Sequence, residues 1–149
     1  MYGLMDTRRM TSEESTTPDL VELMGKVVEA FNRRDIDALM GFFAGDAVFE
    51  SPVLGNSFEG AAAIRLFAED WLGAFEEWAV ERQEIIDMGN GVVFLVYGQE
   101  GRPVGSSGLI RSRAVSVYEW ADGLITRATT YDDIDQGRAA AERLAGERG

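Results

Sequence analysis

The chain has 149 residues, 46% of them apolar and 27% charged, with a formal net charge of −12. That length predicts one domain with enough chain to bury a core. The absence of cysteine and histidine excludes disulfides, thiol catalysis, and the commonest general base and zinc ligand, and the acidity opposes binding to a phosphate backbone.

Residues 1–16 are polar, rich in Ser, Thr and Glu, and without periodicity, so a disordered tail is expected there and a single domain over residues 17–149. No apolar run near the start suits a signal peptide and none reaches the length of a membrane span. A cytoplasmic protein with no membrane partner and no nucleic-acid partner is the expectation. Thr17-Pro18-Asp19 predicts a helix start, with Thr17 as the cap. Leu20, Leu23, Met24, Val27, Val28 and Phe31 then recur at spacings of three and four, and the helix is expected to end near Arg33 and Arg34. Asp35 caps a second predicted helix whose buried stripe is Ile36, Leu39, Met40 and Phe43.

Ala47 to Ser51 reads as an edge strand stopped by Pro52, and Gly55 to Gly60 as a loop. A third helix is predicted over Ala61 to Trp78, with Ile64, Phe67, Ala68, Trp71, Leu72 and Phe75 on one face. From Val80 the period becomes that of a sheet. Strands are predicted over Val80–Met88, Val92–Glu100, Ser107–Trp120 and Leu124–Asp133, with hairpin turns at Gly89-Asn90-Gly91 and Ala121-Asp122-Gly123. Residues 101–105 read as a loop and Asp135 to Gly146 as a terminal helix. Helices first and a meander of strands afterwards predict an α+β fold, with helices on one face of an antiparallel sheet.

Three stretches, VVEAFNRRDIDALMGFFAGDAVFESP, FEGAAAIRLF and VYEWADGLITRATTYDDID, occur in that order over about residues 18 to 145. Together they resemble the SnoaL-like branch of the nuclear-transport-factor-2-like superfamily. The resemblance implies a cone: a curved antiparallel sheet wrapped around helices, the cystatin-like α+β roll. Its members include isomerases, cyclases, epoxide hydrolases, dehydratases and non-catalytic binding modules, so the fold alone does not set the function.

Two catalytic sets of that superfamily are not matched. Ketosteroid isomerases carry a base before the first-strand proline and donors on the first helix and the long strand; those positions hold Ser51, Val27 and Ser116. Limonene-type epoxide hydrolases use an arginine between two aspartates; Tyr97 falls at the arginine, and Gln99 and Thr130 at the aspartates. Phe49 and Ser51 stand where their tyrosine and asparagine would be. Gln and Thr cannot form an acid–base pair.

The same matching, with strand alternation, implies which residues face into the cone. The ligand-binding candidates are Val27, Phe31, Phe43, Phe49, Ser51, Phe67, Trp71, Ser112, Ala114, Ser116, Ala128 and Thr130. The short side chains among them argue for an open cavity; the alternative is a cone filled by bulky neighbours. Asp132 is the lone carboxylate of the inward set, so Asp132 is the candidate base, with Tyr97 and Gln99 as candidate donors. The alternative for Asp132 is a cap on the terminal helix. No cofactor is implied, and Asp132, Asp133 and Asp135 lack the histidines or loop pattern of a metal site. On the opposite face of the long strand, Arg111, Arg113, Val115, Val117 and Glu119 are expected to form the interface of a homodimer, the alternative being a solvated surface. Three functions follow: an isomerase, cyclase or lyase acting on a hydrophobic carbonyl compound, a module binding a small hydrophobic ligand, or a structural dimer with a filled cone.

Overall fold

The computed structural model describes residues 19–52 and 54–148. The expected disordered tail and the Thr17 cap lie outside these residues. Helix α1 (Leu20–Asn32) is capped by Asp19, whose carboxylate accepts the backbone N–H of Glu22 at 3.2 Å. It buries Met24, Gly25, Val27, Val28 and Ala30. Asp35 caps α2 (Ile36–Met40), as its sequence context requires. That helix stops before Phe43, which instead opens strand β1 (Phe43–Ser51) by pairing with Ile125. Sheet pairing has overridden a helical spacing of apolar residues.

Other boundaries also differ from the local pattern, among them that of residues 101–103, read as loop and found in a strand. The stretch after β1, also read as a loop, contains β2 (Asn56–Glu59), reached through a turn at Gly55 (φ 72°). It pairs antiparallel with β1, so β1 is an interior strand and not an edge. Helix α3 (Ala61–Gly73) is shorter than its apolar face suggests, and Phe75 and Trp78 belong to β3 (Phe75–Gly89). Arg34 fixes that corner. Its guanidinium donates to the carbonyls of Leu72 and Phe75, both at 2.9 Å. Asn32 continues the seam by exchanging two hydrogen bonds with the backbone of Val80.

β4 (Val92–Pro103), β5 (Ile110–Ala121) and β6 (Leu124–Tyr131) complete the sheet, and α4 (Ile134–Arg148) follows. The strand order is β2-β1-β6-β5-β4-β3. All pairs are antiparallel except β1 with β6, which is parallel, so the sheet is mixed rather than purely antiparallel. The β3–β4 ladder shifts register between Arg82 and Glu84 and again between Asp87 and Gly89. Such bulges bend a strand, and the long β3–β4–β5 layer curls over the helices as an α+β roll.

The sheet has a core on each face. On the concave side, Met24, Val27, Val28, Leu39 and Ala68 pack against Val93, Leu95, Ile125 and Ala128. On the convex side, α4 covers Val92, Phe94, Val96, Val115 and Val117 with Ala141, Ala145 and Leu144. Gly137 allows the close approach: a Cβ there would lie 2.5 Å from a Val115 methyl. The apolar centre expected to meet a second subunit is therefore covered by the chain's own terminal helix. Arg111 and Arg113 remain exposed beside it. Among the described residues no helix is long and apolar enough to cross a membrane.

Candidate functional site

The concave face encloses a cavity of about 290 Å³. Its two walls differ in chemistry because they come from different elements. Helices α1 and α3 and strand β1 supply Val27, Phe31, Phe67, Trp71, Phe49 and Ser51. Strands β4, β5 and β6 supply Tyr97, Gln99, Ser112, Ala114, Ser116 and Thr130, with Asp132 just past the end of β6. Period two explains the second set: Ser112, Ala114 and Ser116 share one face of β5, and Ser116 stands opposite Thr130 in the ladder.

Two of the residues expected in the cavity do not line it. Phe43 packs into the concave core beside α2, because β1 begins there and pairs with β6. Ala128 faces the concave side but is fully buried among the residues where α1 closes the narrow end of the cone. The cavity also has lining residues that the sequence reading left out, among them Val28, Leu54, Trp78, Val80, Leu95, Tyr118 and Tyr131, and Arg113, expected on the opposite face of the sheet, borders it as well. Tyr118 and Leu95 were within reach of strand alternation, two residues from Ser116 and Tyr97. Val80 opens a predicted strand that was given no facing, and Trp78 was out of reach because it ends the predicted third helix, whereas its strand starts at Phe75.

The apolar wall is held by ring-on-ring packing. Phe67 stacks on Phe58 at 4.6 Å between centroids, Phe49 lies 5.2 Å from Phe67, and Trp71 meets Trp78 edge-on at 5.3 Å. Such pairs prefer these offset or perpendicular geometries because ring edges are positive and faces negative. Gly101 makes room for Trp78, since a Cβ there would fall 2.5 Å from the indole.

The polar wall is a string of hydroxyls. The Tyr97 hydroxyl lies 3.2 Å from Ser116 Oγ, and Ser116 Oγ lies 3.3 Å from Thr130 Oγ1. Burial pushes the pKa of Tyr97 above its ordinary value, and hydrogen bonds to Ser116 and Thr130 offset this only in part. Burial likewise raises Tyr118, with a contribution from the nearby Tyr97 charge. Both phenols therefore keep their protons at neutral pH and are donors. Nearer the mouth, Gln99 Nε2 donates to Ser112 Oγ at 2.8 Å.

Asp132 is exposed. The cap of α4 is its neighbour: Asp133 Oδ1 accepts the backbone N–H of Gln136 at 3.1 Å. Asp132 is thus left at the cavity rim rather than occupied by the helix end. Among the described residues, no three Asp, Glu, His or Cys side chains converge on a point where a metal ion would sit.

A curved sheet enclosing an apolar cavity behind a helical wall defines a cone-shaped α+β roll. The chain belongs to the SnoaL-like domain family, whose model matches residues 25–128, from within α1 to β6. No curated protein matches it in sequence. Solved structures share the fold at low identity. TerC co-crystallised with polyporic acid is 20% identical, with a TM-score of 0.67 over 82% of this chain and 97% of that one. A protein with a ketosteroid isomerase-like fold from Catenulispora acidiphila, in complex with trimethylamine, is 17% identical, with a TM-score of 0.69 over 85% and 94%. A cystatin-fold protein from Novosphingobium aromaticivorans is 18% identical, with a TM-score of 0.68 over 77% and 99%.

Proposed function

We propose that this chain binds a small hydrophobic molecule carrying a carbonyl or hydroxyl oxygen, held between the aromatic wall and the hydroxyl string. One observation carries the reading: a cavity of about 290 Å³ with rings on one side and Tyr97, Ser116 and Thr130 on the other. An apolar body gains by burial against the rings, and its oxygen meets donors already removed from water. That TerC was crystallised with polyporic acid supports the use of this fold for small organic ligands.

A catalytic reading, as an isomerase, cyclase or lyase acting on a carbonyl compound, draws on Asp132, Tyr97 and Gln99 lining that same cavity. Asp132 would take a proton from the carbon beside the carbonyl. Tyr97, which holds its proton, would donate to the oxygen as negative charge develops there. Gln99 has a second N–H beyond the one given to Ser112 and is the alternative donor for a carbonyl bound nearer the mouth.

Calorimetry with a panel of flat apolar ketones tests the binding reading. Micromolar affinity is expected, about −8 kcal/mol. Ala114→Trp should abolish it while the protein stays folded, because Ala114 is a short side chain in the middle of the polar wall. Undiminished binding by that variant would overturn the placement of the ligand. For the catalytic reading, NMR in D2O would follow exchange of the α-protons of a bound ketone. Asp132→Asn should slow that exchange about 100-fold or more. Exchange at the original rate in the variant would remove Asp132 as the base and leave the binding reading standing.

A further inference from the structure

Apart from the exposed Asp132 and Arg113 at the rim, the hydrogen-bonding groups that face each other across the polar wall gather at two stations. The inner one is Ser116, 2% exposed, with Tyr97 and Thr130 at hydrogen-bonding distance. The outer one is the Gln99–Ser112 pair near the mouth. Between them β5 presents only the methyl of Ala114. The facing wall offers Val27, Phe31, Phe49, Phe67 and Trp71, none of which has a hydrogen-bonding side chain except the Trp71 indole. The Ser51 hydroxyl on that side is turned to the backbone N–H of Leu54, at 3.4 Å.

Each station retains capacity for a ligand. Tyr97, Ser116 and Thr130 are hydroxyls that accept as well as donate, so the cluster keeps lone pairs for a ligand hydroxyl beyond the contacts made among themselves. At the outer station, the Gln99 amide keeps its carbonyl oxygen and one N–H. An oxygen placed midway, against Ala114, would meet no hydrogen-bonding side chain on β5, and burying it there without a partner is costly. Ser112 and Ser116 are four strand residues apart, about 13 Å. With a hydrogen bond of about 2.8 Å at each end, the two ligand oxygens lie between about 7 and 13 Å apart, depending on how far the bonds lean along the strand.

We propose that the cavity selects elongated, flat molecules with an oxygen function at each end and an unbroken apolar middle. The buried end sits on Ser116 with Tyr97 and Thr130, and the outer end on Gln99 and Ser112. This rests on the ligand-binding reading above and adds to it the spacing and number of the ligand's polar groups.

Three compounds of nearly the same shape separate the two ideas: biphenyl, 4,4′-dihydroxybiphenyl and 3,4-dihydroxybiphenyl. The two diols have the same composition, but only the first carries an oxygen at each end. Calorimetric titration of the full chain should show the 4,4′ compound binding about fivefold tighter than the 3,4 isomer, the effect of one net hydrogen bond. In Ser112→Ala, and in Ser112→Ala combined with Gln99→Leu, that ratio should fall towards one. Because each readout is a ratio within a single variant, a general loss of affinity does not affect it. Equal affinity of the two diols in the unmodified protein overturns the two-station inference, and so does a ratio that survives both substitutions. If biphenyl binds and the diols do not differ, only this inference fails. If none of the three binds, the ligand-binding reading fails with it.

Discussion

Tyr97 and Tyr118 stand out among the side chains because both phenols are buried in the cavity wall and both resist ionisation. Desolvation favours the neutral form, so the folded state holds these protons more tightly than the unfolded chain, whose tyrosines titrate near pH 10. Stability from Tyr97 is therefore complete below about pH 10 and is lost as pH rises through its elevated folded value. Urea unfolding measured across pH 9 to 11.5 should show stability falling with pH, and Tyr97→Phe should flatten that fall. An identical slope in the variant would mean that Tyr97 is not held in a dry site. Tyr97, Gln99, Ser112, Ala114 and Ser116 were all legible as one inward set, because a period of two groups them and the family resemblance implied which face turns inward. Phe43 and Ala128 were not, because alternation says which face a residue joins and not how deep along the cone it sits.

At the level of elements, the corner between α3 and β3 decides the shape of the aromatic wall. Local pattern continues the helix through Phe75 to Trp78, since Ile64, Phe67, Ala68, Trp71, Leu72 and Phe75 keep helical spacing. What ends it is remote in sequence. Arg34, in the left-handed region at φ 59°, binds the carbonyls of Leu72 and Phe75, and β3 gains a ladder with β4 from Phe75 onward. Removing the side chain with Arg34→Ala should cost about 1–3 kcal/mol, because two carbonyls at the helix end lose a charged donor. Chemical denaturation would measure that loss, and an unchanged midpoint would show that the β3 ladder fixes the corner unaided. The same dependence on distant partners hid β2, a four-residue strand that exists because β1 lies beside it.

For the whole molecule, the largest departure from expectation is the convex face of the sheet. Val115 and Val117 are 0% and 1% exposed beneath α4. An ion-pair chain fastens the same region: Arg127 pairs with Glu50 on β1, and Glu119 on β5 lies near both Arg127 and Arg148 of α4. The Arg148 guanidinium also donates to the Trp120 carbonyl at 3.0 Å. Val117→Arg should accordingly destabilise the isolated chain by about 3–5 kcal/mol, the scale of an uncompensated buried charge, instead of merely weakening an association between subunits. Thermal unfolding at two protein concentrations would separate the two. A variant that keeps the original melting temperature would mean that α4 does not stay on this face.

The amino-acid sequence by itself determined the α+β order, the Asp35 cap, the hairpin turns and the alternation along each strand. Each of these depends on interactions within a few residues: a capping carboxylate, an Asn-Gly turn, a period of two or of 3.6. Tertiary structure alone decided that β1 is interior and parallel to β6, that α3 stops at Gly73, that α4 covers the convex sheet, and that Asp133 caps α4 while Asp132 is left at the rim. These outcomes turn on which distant segments meet. That is set by how the whole chain buries its apolar surface and satisfies its backbone, and no local stretch carries the information.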